Sequence, residues 1–456
     1  VKRKSVLIEP PVLQAATVSN LISYSLESLD ALDTVEKDQL DTDRALNLSV
    51  ALDDLHVVVN RIKEPTATDV ALMQCVANTA VSGTDMSATS VLPSMESFGN
   101  KQVFVNSLAS RSGDVLNMFV HQVSEKLGNL ESYIKTTATV VRESKIAVTQ
   151  LDEKFPIPGG DYDDVPRTIE VVLKDCQFLI TPIGVALTQG DILNAFKWTA
   201  VNFKTFTEVA TPTTNRLMQT IREVIPKKRV ASAAELLEAT KFSNSSLYMT
   251  VLDLWTNMIS ASRLNVVRSG DSPSTASTDV LLGNQALSIG IVANSMKIND
   301  GDISLSDKSE LIRSLKATLQ DNAGYVVPEQ KVTITGVTNA GIRSLISNLT
   351  DFTTDLEKYA AWSNITAQVG KNQCESDIAT ISNFFSQEAT GEMSEQEAED
   401  YRNYLYTHIG DLNSVVKATV QLTSLPLTYG SKLISDFIIL LSAMPGDKPV
   451  GAYNSL

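Results

Sequence analysis

The 456-residue chain is 43% hydrophobic, 20% charged and 6% aromatic, with a formal net charge of −15. That length bounds two or three domains of ordinary size, and the apolar content excludes a disordered chain. Net acidity opposes broad contact with phosphate backbones, so Lys2-Arg3-Lys4 and Lys227-Lys228-Arg229 read as solvated charge runs.

The chain opens with Lys2-Arg3-Lys4 and Val6-Leu7-Ile8, which imitate a signal peptide, but Glu9-Pro10-Pro11 cuts the apolar region short. A first amphipathic helix is predicted through Val18, Leu21, Ile22, Leu26, Leu29 and Leu32. A second follows through Leu48, Ala51, Leu52, Leu55, Val59 and Ile62, ending before Pro65. A looser stretch, Ser82 to Asn100, then leads to a long helical seam. In it Leu116, Val120, Val123, Leu127, Leu130 and Ile134 follow a 4-3-4-3-4 spacing, which Val141 and Val148 continue. Such spacing draws one apolar stripe along a helix that must lie against another helix, so these are the candidate packing and interface residues. An aspartate at Leu127 is expected to cost more than about 3 kcal/mol by burying an unpaired charge.

Phe155 to Pro166 reads F-P-I-P-G-G-D-Y-D-D-V-P and cannot continue a helix. Its acidic cluster, Asp161, Asp163 and Asp164, reads as a solvated linker. Beyond it, Thr168 to Ile180 is rich in β-branched residues and is a strand candidate. Ser232-Ala-Ala-Glu235 is a capping box, and Ser269–Thr278 reads as a polar loop. Asp307 with Glu310 is expected to cap a helix carrying Leu311, Ile312, Leu315 and Leu319. The alternating run Lys331 to Thr338 is the best strand candidate. Thr338 should then cap a helix with Ile342, Leu345, Ile346, Leu349, Leu356 and Tyr359. Ser394-Glu-Gln-Glu397 is a further capping box, leading to Tyr401, Leu405, His408, Leu412 and Val415. Ile434–Met444 reads as a buried C-terminal helix, far shorter than the roughly 20 apolar residues of a membrane span.

The expected class is therefore mainly α: a long helical hairpin or bundle followed by α-rich domains with a minor β element. Residues 1–155 form the N-terminal hairpin or bundle and 156–166 a Pro/Gly linker. Residues 167–330 are a mixed α-rich middle region, and 331–456 a C-terminal helical region opened by a short strand.

Little in the chain suggests chemistry. Of the three histidines, His56 follows Asp53-Asp54 as a helical surface pair, while His121 and His408 lie beside packing stripes. No H-x-x-x-H or H-E-x-x-H spacing occurs. Asn299 to Glu310 has the end spacing of a calcium loop. Gly301 and Ile303 then fall where oxygen ligands are required, so a loop with a helix cap is expected instead. Gly430-Ser431-Lys432 lacks the glycine spacing that cradles phosphate, and Asn47-Leu-Ser and Asn364-Ile-Thr are formal sequons only. Cys75, Cys176 and Cys374 lie far apart and odd in number, which fits synthesis in a reducing compartment. Cys75 sits in an apolar helical pattern and is expected in a core. No catalytic residue, cofactor or metal is expected.

Ser25-Leu-Glu-Ser-Leu-Asp30, Ser94-Met-Glu-Ser-Phe98 and Lys126-Leu-Gly-Asn-Leu-Glu-Ser-Tyr-Ile-Lys135 give the chain a texture that resembles internal head proteins of large tailed bacteriophages. The order of parts is similar too: an acidic Leu/Glu-rich start, a long helical hairpin, a Pro/Gly break, and a mixed region with a V-T-I-T-G-V-T strand before more helices. The resemblance covers residues 1–150 and Lys331 to Tyr359. It implies a non-enzymatic virion structural protein in the capsid interior, made in the host cytoplasm. Its implied partners are other copies of itself and capsid, portal or inner-body components, with incidental contact to packaged DNA and no stable membrane span. It also implies trimming by a maturation protease after Ser-x-Glu or hydrophobic-x-Glu motifs, which a start at Val1 would suit. Yet Ser25-Leu-Glu27, Ser94-Met-Glu96 and Ser386-Gln-Glu388 stand uncut. Two other readings stay open: a helical membrane-active, ejection or pore-forming protein built on the hairpin and Ile434–Leu441, and an enzyme with an unrecognised site of carboxylates or Tyr and Arg side chains.

Overall fold

The structure, a computed structural model, describes residues 101–155, 164–172, 177–181, 184–224, 245–256, 264–269, 272–291, 304–321, 331–386 and 395–444, with scattered helical positions between 68 and 79 and at 238. The protein is mainly α with a minor β element. The chain order is α1 (Lys101–Lys154), β1 (Arg167–Val172), β2 (Ile180–Thr181), β3 (Gly184–Val185), α2 (Gln189–Val224) and α3 (245–256). β4 (Asn265–Ser269), β5 (Ser272–Ser277), β6 (Gln285–Ile291), α4 (Leu305–Ser314) and β7 (Lys316–Asp321) follow. β8 (Lys331–Val337), α5 (Asn339–Ser386) and α6 (Glu395–Ala443) complete it.

Three helices of 54, 48 and 49 residues dominate, each about 70–80 Å long at 1.5 Å per residue. Side-chain pairs fix their directions. Glu131 meets Gln368, Lys145 meets Glu357 and Asp152 meets Arg343, so α1 runs antiparallel to α5. Tyr133 meets Ser424 and Lys154 meets Ser442, so α1 runs parallel to α6. Tyr359 meets Leu422, and a Cβ on Gly430 would stand 2.8 Å from Leu356, so α5 and α6 form an antiparallel hairpin with their backbones close. Gly430-Ser431-Lys432 lies inside α6, its glycine leaving room where Leu356 packs.

The seam follows its sequence period where its side chains are described. Leu130, Ile134, Val141 and Val148 are buried against the same core as Leu349 and Leu356 of α5. The side chains of Leu116, Val120, Val123 and Leu127 lie outside the described residues, as does the hairpin expected with segments before Lys101. In the structure α1 instead finds its partners in α5 and α6.

At the C-terminal end of α1 the bundle widens to take in α2 and the sheets. α2 runs parallel to α5, from Gln189 beside Thr338 to Asn215 beside Trp362. Scarce aromatics concentrate here. Phe437 of α6 packs on Phe178 (ring centroids 4.4 Å apart) and on Phe196 (5.1 Å), and Phe352 of α5 packs on Phe203 (4.9 Å). The C-terminal segment Ile434–Met444 is buried as its sequence suggests, but as the last turns of α6 rather than a helix of its own.

β1 and β8 pair antiparallel, with a bulge between Arg167 and Ile169 opposite Gly336, whose φ of 70° suits glycine. β8 realises the alternating run as far as Val337, with Val332, Ile334 and Val337 buried. In the β-branched stretch from Thr168, residues to Val172 are strand and Gln177–Leu179 is a 3-10 turn before the β2–β3 hairpin, with 173–176 outside the described residues. The remaining strands form an antiparallel meander, β4-β5-β6-β7, laid on α4 and α6. This corrects the reading of Ser269–Thr278 as a loop: Ser272–Ser277 is β5. Its Ser and Thr side chains look loop-like in composition, yet alternate residues Ala276 and Thr278 are buried, and the backbone is paired on both sides.

α6 continues through Pro426, which has no N–H to give the carbonyl of Leu422. The Tyr359 hydroxyl donates to that carbonyl at 2.6 Å and fills the vacancy across the α5–α6 seam. Burial pushes the Tyr359 phenol far above its ordinary pKa, so it stays a donor. Tyr359→Phe should therefore cost about 1–3 kcal/mol, the penalty of an orphaned buried carbonyl, measured by urea unfolding. A change within error would show that water reaches Leu422.

Candidate functional site

The strongest concentration of placed polar groups is a junction where α1 ends, α5 begins and α6 ends. Thr338 caps α5, its hydroxyl accepting from Gly341 N at 3.2 Å. The carboxylate of Asp164 accepts from Asn339 N at 2.6 Å and Ala340 N at 3.0 Å, taking two more of the N–H groups a helix start leaves open. Gln189, in the first turn of α2, donates to Thr338 O and accepts from Thr338 N, both at 3.1 Å. A Cβ on Gly341 would collide with the Gln189 carboxamide, so a side chain there would displace Gln189 from its bonds to Thr338.

The same turn of α5 closes α1. Arg343 donates to Asp152 O at 2.9 Å and to Phe155 O, and pairs with the Asp152 carboxylate at 3.2 Å. α1 in turn closes α6, since Lys154 donates to Ser442 O at 2.7 Å. Basic groups at carbonyl ends and an acid at an N–H end match the helix dipoles at all three termini. Burial lowers the Lys154 pKa from its ordinary value. The junction is a mechanical clamp: it fixes the relative register of three long helices at one end.

Asp164 thus leaves the role of solvated linker residue; half-buried, it is a cap. Asp164→Ala should cost about 1–2 kcal/mol by opening two N–H groups of α5. Asp164→Asn should recover part of this. Equal losses for both in thermal melts would mean that the carboxylate's charge, not its acceptors, matters.

A second polar cluster ties α4 to α6. Fully buried Asp411 accepts from Ser309 Oγ at 2.5 Å and from Arg313 Nε at 2.9 Å. Gly410 makes room for the guanidinium, which a Cβ there would strike. Ser304, not Asp307, caps α4: its hydroxyl accepts from Asp307 N at 3.1 Å and donates to the Asp307 carboxylate at 2.7 Å. Glu310 lies within α4, and the rest of the calcium-like run up to Ile303 lies outside the described residues.

Asp436 on α6 stands apart. Burial pushes its carboxyl up to about 6, against the pull of Lys432. A folded pKa above the unfolded one favours the protonated form. Its stabilising contribution is complete below the ordinary carboxylate range near 3.8 and is lost as pH rises through about 6. Asp436→Asn should accordingly raise the melting temperature at pH 7 and leave it unchanged at pH 3.5. An unchanged melting temperature at pH 7 would show that the carboxylate is not penalised.

The candidate chemistry residues do not converge. His56 and the capping box at Ser232 lie outside the described residues, and the side chains of His121 and His408 are likewise outside them. Cys75 is exposed rather than in a core. It shares a helical stripe with Thr68, Ala71, Gln74, Asn78 and Thr79, all exposed, so its polar neighbours set its face. Among the described residues no group of three His, Cys, Asp or Glu side chains is placed to hold a metal, and no helix is long and apolar enough to cross a membrane. Comparison with models of protein families, with curated proteins and with solved structures gives no match.

Proposed function

We propose that this chain is a non-enzymatic structural protein of a virus particle, held inside a phage head and matured by proteolysis, where it contacts other copies and neighbouring shell, portal or inner-body proteins. The observation that carries the reading is the clamped set of three helices, each close to 50 residues, joined at one end by reciprocal caps. A strut of this length offers continuous side surfaces to neighbours while its register stays fixed, which suits a spacer or tether in an assembly. Net acidity favours contact with proteins over condensation of DNA. The texture of the first 150 residues and the Lys331–Tyr359 stretch points the same way. The membrane-active alternative rests on Ile434–Leu441, in which Ile434, Phe437, Ile438, Leu440 and Leu441 are already buried, Phe437 against Phe178 and Phe196, with Ile439 exposed.

Protease protection tests the interior position. In intact particles the chain should resist added protease, and after osmotic opening it should be cut. Digestion to completion in intact particles would place it outside and end the interior reading.

A further inference from the structure

The outward face of α2 stands out among the described residues of this acidic chain. Trp198 is 53% exposed and Val201 63% exposed, one helical turn apart. Large side chains so exposed and adjacent are informative where a lone one is not. Lys197 and Lys204 flank them on the same exposed side and Arg216 follows; Glu208, and Asp191 two turns before Trp198, are its exposed acids. The face therefore combines an apolar centre with a basic frame.

We propose that this face docks the acidic amphipathic stretch of residues 21–54 of the same chain, which lies outside the described residues. The match is one of charge and of pattern. Residues 27–54 hold nine acidic and two basic side chains, a net −7 of the chain's −15. Within that stretch and just before it, Leu21, Ile22, Leu26, Leu29 and Leu32 supply an apolar stripe for Trp198 and Val201. Glu36 and Asp43 are seven residues apart, as are Lys197 and Lys204; in helical form each spacing is about 10 Å along one side of its helix, so both pairs can meet at once. A phosphate polymer would use the lysines but leave Val201 without a role, and would meet the repulsion of the whole chain. The inference stands independently of the virion reading.

Zero-length carbodiimide coupling of the full chain, read by peptide mass spectrometry, tests it. Coupling joins an amine to a carboxylate only in contact, and Lys145–Glu357, 2.7 Å apart, is the internal control. The expected result is coupling of Lys197 or Lys204 to carboxylates between Glu27 and Asp54. It should vanish in a Lys197→Glu, Lys204→Glu double variant whose control coupling and melting temperature are unchanged, both lysines being exposed. Control coupling without any coupling to that stretch overturns the proposal. So does coupling found only between copies in a mixture of isotopically light and heavy chains. Duplex DNA binding by the full chain that the double variant abolishes, with the stretch uncoupled, would reassign the face to a phosphate polymer.

Discussion

Ile134→Asp should break the apolar packing between α1, α5 and α6, lowering stability by about 4 kcal/mol or more. Ile134 is fully buried in the middle of the seam, one turn from Leu130 and beside Tyr133. Tyr133 donates to Ser424 O and meets Thr428 on α6, so the side chain at 134 sits where α1 is held from both flanks. A carboxylate there loses the transfer energy of the isoleucine and must either stay ionised without a partner or take up a proton at a cost. The comparison that gives the result meaning is Ile146→Asp on the same helix. Ile146 is 47% exposed, so its replacement should change stability by no more than about 0.5 kcal/mol. Chemical denaturation of both variants decides the matter. Similar losses at the two positions would show that the stripe does not face α5 and α6.

Phe437→Ala should cost about 3–5 kcal/mol, the range for deleting a large aromatic side chain from a closed core. Phe437 has no exposed surface and joins Phe178 of the 3-10 turn to Phe196 of α2. Its loss opens a cavity at the point where the mixed α/β region meets the long helices. Collapse around it is opposed by the clamp, since Lys154 and Arg343 hold the adjacent helix ends in register. Phe437→Leu should recover more than half of the loss. A Phe437→Ala variant with the unfolding midpoint of the parent would place this aromatic cluster outside the cooperative core.

What could be read from the sequence was local. The period from Leu130 to Val148, the alternation from Lys331, and the Thr338 cap each depend on spacing within one element, and each marks a face or a boundary. The clamp was not legible, because its partners are remote in sequence: Asp164 and Asn339 are 175 residues apart, and Arg343 and Asp152 are 191 apart. Asp164 reads as one more acid in a linker until α5 is placed above it. Composition misled at β5, where Ser and Thr side chains form a strand sustained by neighbours on both sides. Pro426, a helix breaker by residue type, stands inside α6 because the Tyr359 hydroxyl takes up the carbonyl it leaves open. Gly430 likewise takes its meaning from a remote residue, since its missing side chain leaves room for Leu356. No spacing rule reveals which remote side chain will repair a local defect.

The measurement that bears most directly on the central claim is quantitative peptide mass spectrometry of gradient-purified particles after nuclease and high-salt washing. The virion reading predicts this chain in the particle fraction, at many copies and in constant ratio to the major shell protein across the peak. Its absence from washed particles, with the chain recovered only as a compact monomer in the soluble fraction, would contradict it.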